Sequence, residues 1–505
     1  MERPGWGAPI LRNEWRELQP PRLGSWTPWL RVSVVIPAYG GQPGLDVILA
    51  ALARQSYPPD LLEVVIVDDN SAPPLRLPEQ RPANCRLVRA PATGWGAGHA
   101  RAYGAHLATG AILCWLDSDL VPGPRHIEAH ARWQHTHPEA VSLGLIYTCP
   151  QRRQYAHPRS QRLIAGTAGL ARANHLGFRA YVGAATAVPR WLYETSGGLD
   201  PTLTGGQDIE FGYRLWQSGG VFVAEHRAVA WHTDTEALAT LARTRAPSAR
   251  LRTTRLAEVM PQPRSWRRAA VTPGARGETV VPLVRAVVPV HGFSLEEVRT
   301  TVEALLTEPT ADLTVVLVAP WNDLDGLGRT SASAAMTWQE ALELRLVQAR
   351  YLGAQRVVFT TTSPETGFPA PYLLEVPTGQ PVQPGTVRWL VTKSDRVQAG
   401  LLEWSVPGVA ASVRLWRCRA LSRAGRIREP GESWTRAVAR IHGRYRIRAE
   451  QLNVGQGATG RGVAPLAHLP RLRAPQERRR GWRARLRGAI GRLGQVLRRA
   501  GPTGG

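Results

Sequence analysis

Three β-branched runs, each ending in polar or acidic residues, constrain this chain most. They are "VSVVIPAY" (Val32 to Tyr39), "LEVVIVDDNS" (Leu62 to Ser71) and "AILCWLDSD" (Ala111 to Asp119). Near-continuous apolar runs of this length read as strands buried on both faces. Helix-spaced stretches lie between them, "LDVILAALARQ" (Leu45 to Gln55) and "GHARAYGAHLATG" (Gly98 to Gly110), with "CRLVRA" as a further strand. Strand, helix, strand with short connections forces a parallel pairing. The expectation is an α/β fold with a doubly wound, mostly parallel, Rossmann-like sheet. Ligands in such sheets bind beyond the carboxyl ends of the strands. Tyr39, Asp68, Asp69, Asp117 and Asp119 all fall there.

Paired carboxylates at the end of a buried strand repel and lose hydration unless a cation compensates. No cysteine lies beside them on the polar side, so hard oxygen ligands suited to Mg²⁺ or Mn²⁺ are expected. The chain has no GxxxxGK[ST] loop, and "GWGAGHA" comes too late to be a first-strand glycine cradle. Phosphates would then be held through a metal, which points to a nucleotide-diphosphate donor. Further on, "GGLDPTLTGG" is a loop. A helix follows from Asp208 to Ser218, with Ile209, Tyr213 and Trp216 on one face and Gly219 as its stop. Asp208 in its first turn suits the helix dipole, and an N-cap is its plainer reading. "VFVAEHRAVAWH" is strand-like and ends in His232.

The net charge is +24, yet Lys393 is the only lysine among 63 basic residues. That skew, with abundant Ala, Gly and Pro, reads as the coding bias of a GC-rich bacterial genome, so a nucleic-acid partner is not expected. The four cysteines are scattered with no CxxC pair, which argues against a disulfide framework and a zinc site and fits a reducing cytoplasm. The N-terminus lacks the apolar segment of a signal peptide, and no apolar stretch is long enough to span a bilayer.

Five segments are expected. Residues 1–30 form an irregular arm, 31–245 the catalytic domain and 246–280 a linker. Residues 281–450 form a second α/β domain and 451–505 a basic tail. "VRAVVPVHG" (Val284 to Gly292) echoes "VSVVIPAYG", and "DLTVVLVAP" echoes "DLLEVVIVDD". The second half is thus either a degenerate repeat of the first or simply another βαβ array. It has Ala319 and Pro320 where the first half has Asp68 and Asp69, so chemistry belongs to the first half. The tail spaces Trp482, Leu486, Ile490, Leu493 and Leu497 three and four apart among arginines. That pattern suits a helix lying on the inner face of a membrane, with a disordered basic tail as the alternative.

"VSVVIPAY", "VVIVDDNS", "LDSD" and "GGQDIEFGYRLWQSG", in this order, resemble the family 2 inverting glycosyltransferases of GT-A fold, over roughly residues 32–232. The resemblance implies sugar transfer from a nucleotide-diphosphate-sugar donor to a hydroxyl acceptor, with inversion and with Mn²⁺ or Mg²⁺. It places Pro37, Tyr39, Asp69, Arg101 and Asp117 at the nucleotide, Asp119 and His232 at the metal, and Asp208 as the general base. Gln207 falls on the acceptor side, where relatives often carry Glu. The competing readings are a nucleotide-sugar-binding protein without turnover and a basic scaffold.

Overall fold

The computed structural model describes residues 9–148, 155–232, 255–261, 281–308, 313–324, 336–405 and 412–448. The basic tail and nearly all of the expected linker lie outside them. Met1–Gly457 forms one compact unit that contains two sheets. No helix among the described residues is long and apolar enough to cross a membrane.

The first sheet has β1 (Val32–Ala38), β2 (Leu62–Asp68), β3 (Cys85–Arg89), β4 (Ile112–Leu116) and β5 (Leu120–Pro122). It continues with β6 (Ala140–Tyr147), β7 (Ala185–Pro189) and β8 (Val221–His232). The spatial order is β3-β2-β1-β4-β7-β6-β8-β5. β1 runs parallel to β2 and β4, as the buried runs predict; β7 is antiparallel to both its neighbours, so the sheet is mixed. The flanking helices are α1 (Gln42–Leu52), α2 (Ala97–Leu107), α3 (His126–Thr136), α4 (Pro158–Gly166), α5 (Arg190–Thr195) and α6 (Gln207–Gln217). In α1, Leu45, Ile48, Leu49 and Leu52 are buried at the three- and four-residue spacing of one helix face. Alternate β4 residues separate the two layers. Leu113 and Trp115 join the core with Ala100 of α2 and Phe211 of α6, while Cys114 joins Ile127 and Ala131 of α3.

The second sheet has β9 (Val284–Pro289), β10 (Leu313–Val318), β11 (Val357–Thr360), β12 (Tyr372–Glu375), β13 (Leu401–Ser405), β14 (Ser412–Arg417) and β15 (Arg444–Ile447). Its helices are α7 (Leu295–Leu306), α8 (Trp338–Tyr351), α9 (Thr386–Val397), α10 (Cys418–Ile427) and α11 (Trp434–His442). Ser294 and Thr337 cap α7 and α8 in reciprocal capping boxes with Glu297 and Glu340. The spatial order is β11-β10-β9-β12-β14-β13-β15. As in the first sheet, the β9, β10, β11 and β12 pairings are parallel, β14 is antiparallel to both neighbours, and β13 and β15 run parallel.

A buried ionic clasp joins the two halves. Glu139, at the entry to β6, meets Arg423 at 2.9 Å and Arg426 at 2.5 Å, both from α10. Burial would raise the Glu139 carboxyl, but the two guanidinium groups outweigh it and hold it below the usual range. Arg419 donates to the carbonyls of Trp216 and Gly220 and to Asn13, which is itself bonded to Phe222. The N-terminal stretch around Ile10 to Asn13 is thus packed into the seam.

Removing one partner of a buried ion pair leaves the others charged and unpaired. Glu139→Gln is expected to cost about 3–5 kcal/mol in denaturant unfolding. Beside it His137 is held neutral, its pKa lowered from 6.5 to about 4 by burial, with Arg423 adding to the effect and Glu139 opposing it. Between those values the unfolded chain binds a proton that the folded chain does not, so stability falls as pH drops from 6.5 to about 4. Melting curves across that window should show the fall, with a shallower slope in His137→Asn.

Candidate active site

The polar ends of β1, β2 and β4 open on one side of the first sheet. Asp68 is buried and occupied structurally. Its carboxylate accepts from the backbone N–H of Ser71 (2.8 Å) and Leu75 (3.2 Å), which folds the loop after β2. Ser71 Oγ in turn accepts from Gly40 N at 2.8 Å and ties that loop to the end of β1. Asp69 points differently. Its Oδ2 accepts from Gly96 N at 2.6 Å, while its buried Oδ1 has no hydrogen-bond partner among the described residues. An orphaned carboxylate oxygen at a strand end is a place for a ligand donor group. Tyr39 stands beside this rim and is 74% exposed. Pro37 lies inside β1, paired with Val67, and is buried.

Arg101 organises the centre. It rises from α2, its side chain 3% exposed, and makes ion pairs with Asp117 after β4 and with Asp208 of α6. The Asp208 contact is 2.9 Å through Oδ1. Burial would weaken the guanidinium charge, but Asp117 and Asp208 outweigh it and hold Arg101 firmly protonated. Asp117 is shifted upward by burial and by Asp119 and Asp208, with Arg101 pulling it down. The two shifts are compatible, because one positive charge is shared between Asp117 and Asp208 while Asp119 adds a further negative charge near Asp117. The centre carries surplus negative charge, which a divalent cation would offset. Asp208 is not the N-cap of α6. Gly206 takes that place at φ 85°, and Asp208 lies one residue inside the helix start.

The short β5 pairs antiparallel with β8, setting Leu120 opposite His232. That register brings Asp119 and His232 together, Nδ1 to Oδ2 at 3.1 Å. The ring is 8% exposed and the carboxylate 38%. Gln207 opens α6 next to Gly98 of α2, and its buried Oε1 has no hydrogen-bond partner among the described residues. His99 is occupied elsewhere: its Nε2 meets the Pro91 carbonyl at 3.1 Å and its ring packs over Gly94. Trp95 is 69% exposed. The structure thus brings Arg101, Asp117 and Asp208 into one cluster and Asp119 and His232 into a pair. Asp69 and Tyr39 lie at a separate rim.

Residues 33–193 match the model of the family described as Glycosyl transferase family 2. The resemblance to that family holds over this segment; Gln207, Asp208 and His232 lie beyond it. A validoxylamine A glucosyltransferase from Streptomyces hygroscopicus subsp. limoneus is 30% identical over 223 residues, covering 37% of this chain and 48% of that protein. A hyaluronan synthase from Pasteurella multocida is 24% identical over 247 residues, covering 40% of this chain and 24% of that protein. The chain spans about half the length of the validoxylamine relatives it matches. Among solved structures, the mannosyltransferase PcManGT from Pyrobaculum calidifontis, in complex with GDP-Man and Mn²⁺, aligns at a TM-score of 0.33 with 21% identity. The alignment covers 43% of this chain and 59% of that one.

Sequence reasoning missed Gly183, in the segment before β7. A Cβ there would lie 2.8 Å from Cγ of Asp208 and 3.0 Å from Nη1 of Arg101. The signal available was a small-residue run, "VGAATAV", entering an otherwise bulky core. Gly183→Ala is expected to cost about 1–3 kcal/mol by overpacking. A double-mutant cycle with Asp208→Ser, read by denaturant unfolding, should show the cost shrinking once the carboxylate is shortened. An undiminished cost would place the clash elsewhere.

Proposed function

We propose that this chain transfers a glycosyl group, with inversion, from a nucleotide-diphosphate sugar to a hydroxyl acceptor. The observation that carries the reading is Arg101 joining Asp117 at the strand end to Asp208 at the start of α6, beside the Asp119–His232 pair. The family 2 match over residues 33–193 supports the same class of chemistry. In the proposed reaction the acceptor oxygen attacks the anomeric carbon opposite the diphosphate. The new carbon–oxygen bond forms as the bond to the diphosphate breaks, and Asp208 takes the hydroxyl proton. Arg101 holds one Asp208 oxygen, which fixes the direction of the other. Asp69, with its orphaned oxygen, and Tyr39 receive the nucleotide base.

The residues fit a divalent cation. Asp119 and His232 offer an oxygen and a nitrogen side by side, and the centre has negative charge to spare. An oxygen–nitrogen pair suits Mn²⁺ at least as well as Mg²⁺. Bound there, the ion would neutralise charge on the departing diphosphate. We further read residues 281–450 as a degenerate copy of the first domain. The shared strand order and directions support this, as do Ala319 and Pro320 where the first half has Asp68 and Asp69. The chain is read as cytoplasmic, with membrane-surface contact through the tail.

Calorimetric titration of UDP, GDP and dTDP, with and without Mn²⁺, tests the proposal. One nucleotide should bind in a metal-dependent manner, and Asp119→Ala should weaken it at least about 10-fold. Asp208→Asn should keep that binding and lower glycosyl transfer by about 10²- to 10⁴-fold. Binding of none of the three nucleotides would overturn the enzyme reading. Undiminished transfer by Asp208→Asn would remove the base assignment alone.

A further inference from the structure

A second cluster of metal-ligand side chains lies on the opposite face of the first sheet from Arg101 and Asp208. Cys114 of β4 faces the α3 layer, and His126 and His130, four apart on α3, share the helix face turned toward it. One ligand atom from each residue lies within 4.8 Å of the other two. Cys114 and His126 are fully buried and His130 is 1% exposed. Among the described residues this is the one group of three His, Cys, Asp or Glu side chains gathered so closely.

The local geometry builds a space for these groups. Cys114 pairs across the sheet with Ala187 of β7, and Ala187 pairs with Ser142 of β6. In-register neighbours share a face, so the row under α3 reads Cys, Ala, Ser, with the smallest side chain in the middle. Gly144, two residues beyond Ser142, leaves room for the His130 ring: a Cβ there would stand 3.1 Å from its Cε1.

The hydrogen bonds leave the His126 ring with a lone pair to spare. His126 Nδ1 lies 3.1 Å from the Val229 carbonyl. A carbonyl only accepts, so Nδ1 carries the proton and Nε2 the lone pair. His130 Nδ1 is engaged by Ser142 Oγ at 2.8 Å. Both Nε2 atoms are buried with no hydrogen-bond partner among the described residues. One turn further along α3, Gln134 donates to the carbonyls of Ala140 and Ala187, and its Oε1 is likewise orphaned. Native interiors seldom leave such groups unanswered. A ring that donates to a carbonyl from one nitrogen while the other is bare, as in His126, has the arrangement of a metal-bound histidine.

We propose that Cys114, His126 and His130 form a buried three-ligand site for a borderline-soft transition-metal ion of the zinc type. One thiolate and two imidazoles match the ligand preferences of that class, whereas Mg²⁺ and Mn²⁺ prefer oxygen. Ligand atoms around a tetrahedral zinc stand about 3.3–3.8 Å apart, so binding draws α3 and β4 slightly together. The thiol proton leaves to solvent as the metal–sulfur bond forms, and no oxidation is involved. The site clips α3 onto the strand whose end carries Asp117 and Asp119. Such a site would depart from the expectation of no zinc site. The chain has no CxxC pair; the proposed ligands are instead a helical HxxxH and one strand cysteine.

The test uses the full chain carrying Asp119→Ala, so that the carboxylate centre does not take the ion. The protein is purified from zinc-supplemented medium, dialysed against metal-free buffer and assayed by plasma mass spectrometry. About one zinc per chain is expected. In the added Cys114→Ala variant, which removes only the sulfur, zinc should fall to background while circular dichroism stays unchanged. Cobalt-loaded protein should show a thiolate charge-transfer band that the same variant lacks. Zinc below about one tenth per chain in the folded protein, or zinc unaffected by Cys114→Ala, would overturn the site. Should Cys114→Ala not fold, loss of the cobalt band in His130→Gln decides the matter in the same way.

Discussion

The architecture of the polar centre depends on one buried cation. Three carboxylates, Asp117, Asp119 and Asp208, converge where a hydrophobic sheet ends, and each would lose hydration and repel the others. Arg101 enters from α2 and binds Asp117 and Asp208 at once. A planar guanidinium can serve two carboxylates in fixed directions, which a lysine ammonium does less well. Its burial makes each contact stronger than at the surface and makes the loss of either one costly. The same bridge couples two separate pieces of chain, a strand end and a helix start.

The close approach needs space, and small residues supply it. Gly183 lets Asp208 reach Arg101, and Gly98 lets the start of α6 settle on α2 with Gln207 alongside. Gly206 takes a positive φ at the N-cap, which frees Asp208 to point at the guanidinium instead of capping its own helix. Together these glycines turn an acid that sequence alone reads most simply as a helix cap into part of an ionic cluster. The Asp119–His232 pair is placed differently, by strand register. Because β5 pairs with β8 residue for residue, a one-residue slip would send His232 to the other face.

Much of the scaffold was legible because it rests on local pattern. The runs at Val32, Leu62 and Ile112 are buried on both faces, and a continuous apolar run has few other outcomes. The strand-end carboxylates stood out because their neighbours are so apolar. Contacts between distant segments were not legible. Nothing in "HARAYG" says that Arg101 will meet Asp208, because that contact spans 107 residues and is set by how α6 docks. The antiparallel β7 was hidden for a similar reason: strand propensity carries no direction. Nothing local in "HPEAV" singles out Glu139, and only the docking of α10 makes it the countercharge for Arg423 and Arg426.

The second half lacks the acids but is not idle with respect to the centre. Arg419, Arg423 and Arg426 are spaced along one face of α10, and they reach the end of α6 opposite Asp208. Arg419 donates to the Trp216 and Gly220 carbonyls and stacks its guanidinium 3.9 Å from the Trp216 ring centroid; Arg426 donates to the Ser218 carbonyl. Tyr213, midway along α6, donates from its hydroxyl to the Pro369 carbonyl. The last carbonyls of a helix carry its negative end, and buried cations there satisfy both the open acceptors and the dipole. One helix is therefore gripped at both ends by arginine, at its start by Arg101 through Asp208 and at its end by the second half. Loosening the distal grip would free α6 to tilt, and a carboxylate in its first turn would move with it. On this geometry the second sheet supports the placement of Asp208 from the far end of α6.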